Sequence, residues 1–165
     1  MEEYFNLTHT FEPVWNENSK VLVLGTFPSV KSRRYGFYYG HPQNRFWKVA
    51  SAITGQDVPV TIEDKKKLLL SNNIALWDVI YKCSIKGSSD SSIKDVVANN
   101  LVPLLDGSGI TMIYANGAKA YELYMKYSYQ ETGMEIVKLP STSPANAVYT
   151  LEKLVAKWNV LIDNF

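Results

Sequence analysis

A chain of 165 residues, 46% of them apolar and 20% charged, is long enough to bury one core and short for two, so one domain spanning 1–165 is expected. Cys83 is the lone cysteine, which excludes an intrachain disulfide framework and any cysteine-rich zinc or iron–sulfur site. The net charge of +1 argues against a uniformly basic nucleic-acid binder, but the charge is uneven: Asn18 to Gln56 carries +6 with no acid, and the remainder carries −5.

That cationic third reads either as a face for phosphates or as a solvated basic loop. The start, MEEYFNLTHTFEP, has two early acids and no apolar run, and no stretch approaches the roughly 18 apolar residues of a membrane span. A cytoplasmic protein that is neither secreted nor membrane-embedded is therefore expected. Aromatic residues reach 13%, enough for some rings to be exposed for stacking.

In chain order, Lys20 to Gly25 (KVLVLG) is the first buried strand. A helix is predicted over Pro42 to Thr54, stopped by Gly55, and another over Ile62 to Leu70. A second strand runs over Asn73 to Val79, a helix over Ile93 to Asn99, and a third strand over Ile110 to Ala115. A helix over Ala118 to Tyr127, a strand over Glu135 to Leu139 and a helix over Ala147 to Val160 complete the chain. Strands alternating with helices imply an α/β fold with a mostly parallel sheet covered on both faces. Ligands of such sheets sit beyond the carboxyl ends of the strands, which points to the loops after Gly25 and Leu139.

Three constellations could carry chemistry. Gly25-Thr26-Phe27-Pro28-Ser29 is a tight turn exposing backbone N–H groups; it lacks the spacing of a phosphate loop. Tyr35 to Lys48 packs six aromatic rings, His41, Asn44 and the cations Arg45 and Lys48 into fourteen residues. Pro42 suits a first helical turn, placing His41 near the cap and Asn44 exposed just inside it. Phe46 and Trp47 fall on the apolar stripe and read as core; Tyr39 is the better stacking candidate. His41 is a capping histidine or a catalyst, with only His9 elsewhere as a partner. Leu139 to Asn146 (LPSTSPAN) is either a hydrogen-bonding turn for a phosphate or base edge, or a helix-capping turn.

Taken together, these segments resemble the uracil-DNA glycosylase superfamily, and within it the hypoxanthine-DNA glycosylase (DNA-deoxyinosine glycosylase) branch. The stretch HPQNRFWKV (41–49) carries most of the likeness and is shared with mismatch-specific uracil-DNA glycosylases. GTFPS falls at the superfamily's first active-site motif and STSPAN at its second. The resemblance implies a three-layer α/β/α sandwich around a four-stranded sheet, acting as a monomer on DNA with deaminated bases, without metal or cofactor. The reaction implied is hydrolysis of the N-glycosidic bond of an extruded nucleotide bearing hypoxanthine, xanthine or uracil.

Phe27 stands where uracil-specific relatives carry Asn or Asp, so Asn44 is expected to be the catalytic residue, holding a water through its side-chain oxygen. Gly25, Thr26, Phe27, Tyr39 and Ser141 are expected to contact the base, with Tyr39 stacking on it and backbone amides near Phe27 helping the base depart. Ser29, Arg33, Arg34, His41, Arg45, Ser143, Ala145 and Asn146 are expected to contact DNA, Ala145 falling where many relatives carry a wedging Leu. With no lysine in the motifs evident as a Schiff-base nucleophile, the enzyme should be monofunctional. The competing readings are a mismatch-specific uracil or thymine glycosylase, a non-catalytic damaged-DNA-binding protein, and a hydrolase using Ser141 or Ser143. The last lacks a G-x-S-x-G elbow.

Overall fold

The run Val21–Gly25 is buried at every position, as a strand must be when it is covered on both faces. In the computed structural model, which describes residues 3–163 apart from Ser88, it becomes the central strand of the main sheet. The chain begins with β1 (Phe5–Thr8), then β2 (Val21–Gly25), α1 (Val30–Tyr35), α2 (Phe46–Thr54), α3 (Ile62–Ser71), β3 (Ile74–Asp78) and β4 (Ile80–Ile85). It continues through β5 (Lys94–Ala98), α4 (Val102–Asp106), β6 (Met112–Asn116), α5 (Ala118–Tyr127), α6 (Tyr129–Thr132), β7 (Ile136–Leu139), α7 (Leu151–Trp158) and α8 (Val160–Asp163).

The four-stranded sheet has the order β3-β2-β6-β7 and is parallel throughout. Alternation along its strands feeds two cores. Val21, Val23, Ile74, Leu76 and Tyr114 face α2, α3, α7 and α8, where Phe46, Trp47, Leu69 and Trp158 pack. Leu22, Leu24, Ala75, Ile113 and Ala115 face Leu101, Leu104, Ala120, Leu123 and Tyr124. The three-layer α/β/α sandwich is thus formed, with Phe46 and Trp47 in the core as expected.

Three predicted elements are corrected. Ile93 to Asn99 is not a helix: β5 pairs antiparallel with β4, which also pairs with β1, in a separate three-stranded sheet. The β-branched Ile93, Val96 and Val97 suit that edge better than a helix, and Asp95 at φ 55 breaks helical geometry outright. The helix expected from Pro42 starts only at Phe46, because the Asn44 side chain takes the Phe46 N–H that would otherwise seek a helical partner. The helix expected from Ala147 starts at Leu151, where the Thr150 hydroxyl accepts from the Lys153 N–H as an N-cap.

From β2 the chain crosses one face to β3, and β6 joins β2 on the other side, so the strand order switches direction between β2 and β6. The carboxyl ends at that switch are Gly25 and Asn116, and crevices of this kind are where open α/β sheets bind ligands.

Candidate active site

A cleft of about 310 Å³ opens above these two strand ends. Its walls bring together Gly25, Thr26, Phe27, Ser29, Tyr39, His41, Asn44, Ser141, Ser143 and Ala145, all expected from the sequence, from three separate segments. Arg33, Arg34, Arg45 and Asn146 lie outside its lining.

Asn44 sits two residues ahead of α2 rather than on its first turn, in a turn closed by its own N–H to the His41 carbonyl at 3.0 Å. Its Oδ1 accepts from the Phe46 N–H at 2.9 Å and from the Thr142 hydroxyl at 2.9 Å. Two donors fill the two lone pairs of an amide oxygen. The oxygen expected to hold a water is thus engaged within the protein, and the Nδ2 amide has no partner within the protein among the described residues.

Thr142, fully buried, was passed over in the sequence although it stands between Ser141 and Ser143. Its hydroxyl also accepts from Asn116 Nδ2 at 3.0 Å, and its N–H donates to Asn116 Oδ1 at 3.0 Å. Asn116 was missed too; the available signal was an Asn closing a buried strand at the same sheet end as Gly25.

The first turn forms one wall. The half-buried Phe27 ring lies edge-on to His9 with centroids 6.0 Å apart, and the Arg33 guanidinium stands 5.9 Å from its centre. Arg33 is tied down: it donates to the Pro28 carbonyl at 2.7 Å, and burial lowers its pKa. Ser29, expected on DNA, caps α1; its hydroxyl accepts from the Ser32 N–H and donates to Ser32 Oγ, both at 3.1 Å. Arg34 remains exposed.

Tyr39, expected to stack on the base, lines the cleft. Phe46 already covers one face of its ring at 4.4 Å, so at most the other face is left for a base. Its hydroxyl is buried without a hydrogen-bond partner, and its backbone is held at φ 52, in a region non-glycine residues rarely occupy. Burial, then the Asp78 charge, pushes that phenol far above its ordinary pKa. Beneath it, His9 Nδ1 accepts from the Phe11 N–H, so Nε2 carries the proton and donates to Asp78 Oδ2 at 2.8 Å in a buried pair that the sequence did not suggest.

Arg45, expected on a phosphate, faces the second motif in this structure. Its guanidinium donates to the carbonyls of Ser143 at 2.9 Å, Asn146 at 3.0 Å and Tyr149, clamping the second motif onto α2. Asn146 is likewise turned inward, its Nδ2 donating to the Ser141 carbonyl at 3.0 Å. The Ser141 hydroxyl accepts from the Ser143 N–H at 3.1 Å and keeps its own proton to donate. His41 Nδ1 accepts from the Gln43 N–H at 3.0 Å, which places the proton of the neutral ring on Nε2. Asp90, on the turn after β4, is solvent-exposed and supplies the one carboxylate of the lining among the described residues. Among the described residues no group of three His, Cys, Asp or Glu could hold a metal, and no helix is long and apolar enough to cross a membrane.

The family model described as the uracil DNA glycosylase superfamily matches residues 12–163. Proteins named hypoxanthine DNA glycosylase from Methanosarcina barkeri and Methanosarcina acetivorans are 35% and 38% identical to this chain, each over 82% of it and 86% of the relative. A solution NMR structure of a candidate uracil DNA glycosylase from Methanosarcina acetivorans superposes with a TM-score of 0.78 at 34% identity, covering 95% of this chain and 99% of that one. With the switch-point cleft built from both superfamily motifs, these matches place the chain in the uracil DNA glycosylase superfamily.

Proposed function

We propose that the cleft receives an extruded deaminated base, hypoxanthine first, and that the protein hydrolyses its N-glycosidic bond. The observation that carries this reading is the convergence of Asn44, the Phe27 wall and the Ser141 hydroxyl on one cleft, in a chain whose relatives bear that activity in their names.

The bond from C1′ to the base nitrogen breaks first, and its electron pair leaves with the base while the sugar becomes oxocarbenium-like. Donors facing the departing base stabilise that charge: the Asn44 Nδ2–H, the Ser141 hydroxyl and backbone amides at the end of β2. Water then adds to C1′ and gives up a proton. With the Asn44 oxygen occupied, the Asp90 carboxylate, which lines the cleft, is the acceptor for it. The departed base takes up a proton from solvent and Asp90 returns its own there, so the products are the free base and an abasic site. Among the described residues no lysine lines the cleft to attack C1′, which supports monofunctional chemistry.

The test is single-turnover cleavage of duplexes containing deoxyinosine, uracil, xanthine or an intact base, read with and without alkali. Release from deoxyinosine, with strand scission only after alkali, is expected. Faster release from uracil than from deoxyinosine would transfer the reading to a mismatch-type uracil enzyme, and scission without alkali would contradict monofunctional chemistry. Asn44→Ala at near wild-type rates would remove Asn44 from the mechanism.

A further inference from the structure

Asn116, Thr142 and Asn44 form one hydrogen-bonded line under the cleft, and backbone groups fix the direction of every bond in it. A backbone N–H can only donate, so the Asn116 atom 3.0 Å from the Thr142 N–H is its oxygen. The Asn116 atom 3.0 Å from Thr142 Oγ1 is then the amide nitrogen, which donates. A hydroxyl has one proton; having accepted from Asn116, Thr142 sends that proton to Asn44 Oδ1, 2.9 Å away. The Phe46 N–H points at the same oxygen from 2.9 Å. If Asn44 turned its amide over, Nδ2 would face two donors. The side chain is held one way round, and its open edge is an N–H donor.

We propose that Asn116 and Thr142 act as a polarity lock on Asn44, so that the cleft selects bases carrying a carbonyl oxygen where the parent base carries an amine. Deamination makes that exchange: an exocyclic donor becomes an acceptor. An asparagine free to rotate serves either base, whereas a locked donor pairs with the carbonyl and leaves the amine facing another donor. Sites that depend on one such polar match reject the mismatched analogue strongly, because groups on both sides stay unpaired. Thr142 and Asn116 are positioning residues here; Asn44 touches the base. The inference rests on the glycosylase reading for its substrate, but not on the chemical step.

The experiment measures binding to duplexes holding 2′-fluoro-2′-deoxyinosine or 2′-fluoro-2′-deoxyadenosine at one position, analogues whose glycosidic bond resists cleavage. Comparing the inosine-to-adenosine affinity ratio between proteins cancels the cost of flipping. For the wild type the ratio is expected to be about tenfold or more. Asn44→Asp keeps the shape and both internal bonds but presents an oxygen to the cleft, and the ratio should fall towards one. Asn116→Asp draws the Thr142 proton away from Asn44 and should lower the ratio too, as should Thr142→Val, while Thr142→Ser should retain it. A purely structural role would lower the melting temperature and both affinities together, leaving the ratio alone. An unchanged ratio in Asn44→Asp overturns the proposal, and so does a wild type without preference. If Thr142→Val does not fold, Asn44→Asp and Thr142→Ser still decide. A wild type that prefers the inosine analogue but releases no base from a deoxyinosine duplex would sink the glycosylase reading and leave the lock standing.

Discussion

A methyl group at Gly25 would lie 2.4 Å from Asp78 Oδ1 and 2.8 Å from the Tyr39 hydroxyl. Neither neighbour yields easily, since His9 holds the carboxylate and Phe46 covers the tyrosine ring. Gly25→Ala should therefore cost about 1–3 kcal/mol, measured by urea unfolding, with a drop in single-turnover rate; a wild-type unfolding midpoint would show that the site relaxes. Cys83 offers a pH test. Burial pushes its thiol from 9.0 up to about 11, with the Arg33 charge opposing. A raised acid pKa means that the fold favours the protonated thiol; this stability is fully present below the unfolded value and is lost as pH rises through the folded one. Labelling by a disulfide reagent at pH 8 should be slow in the native protein and fast in denaturant, accelerating towards pH 11. Equal rates at pH 8 would refute the burial. At this scale the sequence disclosed the turn at Gly25 and the reach of Asn44. The His9–Asp78 pair stayed hidden because its members are 69 residues apart and neither belongs to a motif.

Between elements, the decisive contact is the Arg45 clamp, which sets the loop after β7 against the start of α2. Hydrogen bonds from a charged donor contribute about 1.5–3 kcal/mol each, so Arg45→Ala should lower the melting temperature and weaken DNA binding. The salt slope of that binding should not change, because no phosphate contact is lost; a slope reduced by about one would restore Arg45 to the phosphate ligands. The four strands of the main sheet were legible from their apolar runs, and so was the end of the sheet that carries the site. The segment Ile93 to Asn99 was not, because its short mixed pattern fits either period and pairing with β4 decides it. Nor was the late start of α2, since proline favours a first turn while the Asn44 side chain competes with it.

For the molecule as a whole, the +6 of residues 18–56 is divided by the fold. Arg33 is tied to the Pro28 carbonyl and Arg45 to the second motif, which leaves Arg34 exposed on α1, after the cleft's first turn, along with Lys20, Lys31 and Lys48. Arg34→Ala should reduce the salt slope of DNA binding by about one, and Arg33→Ala should reduce stability more than slope; the reverse ranking would mean that Arg33 leaves its carbonyl on binding. Charge counting located the cationic region but could not say which cations the fold had already used. The same long reach has a consequence for biosynthesis. Thr142, which orients Asn44, lies 98 residues downstream of it, and the central strand β2 waits for β6 before one of its edges is paired. A nascent chain emerging from the ribosome thus exposes the aromatic, cationic segment long before the residue that orients Asn44 exists. Selective base recognition becomes available only once the C-terminal part of the chain has been made and docked.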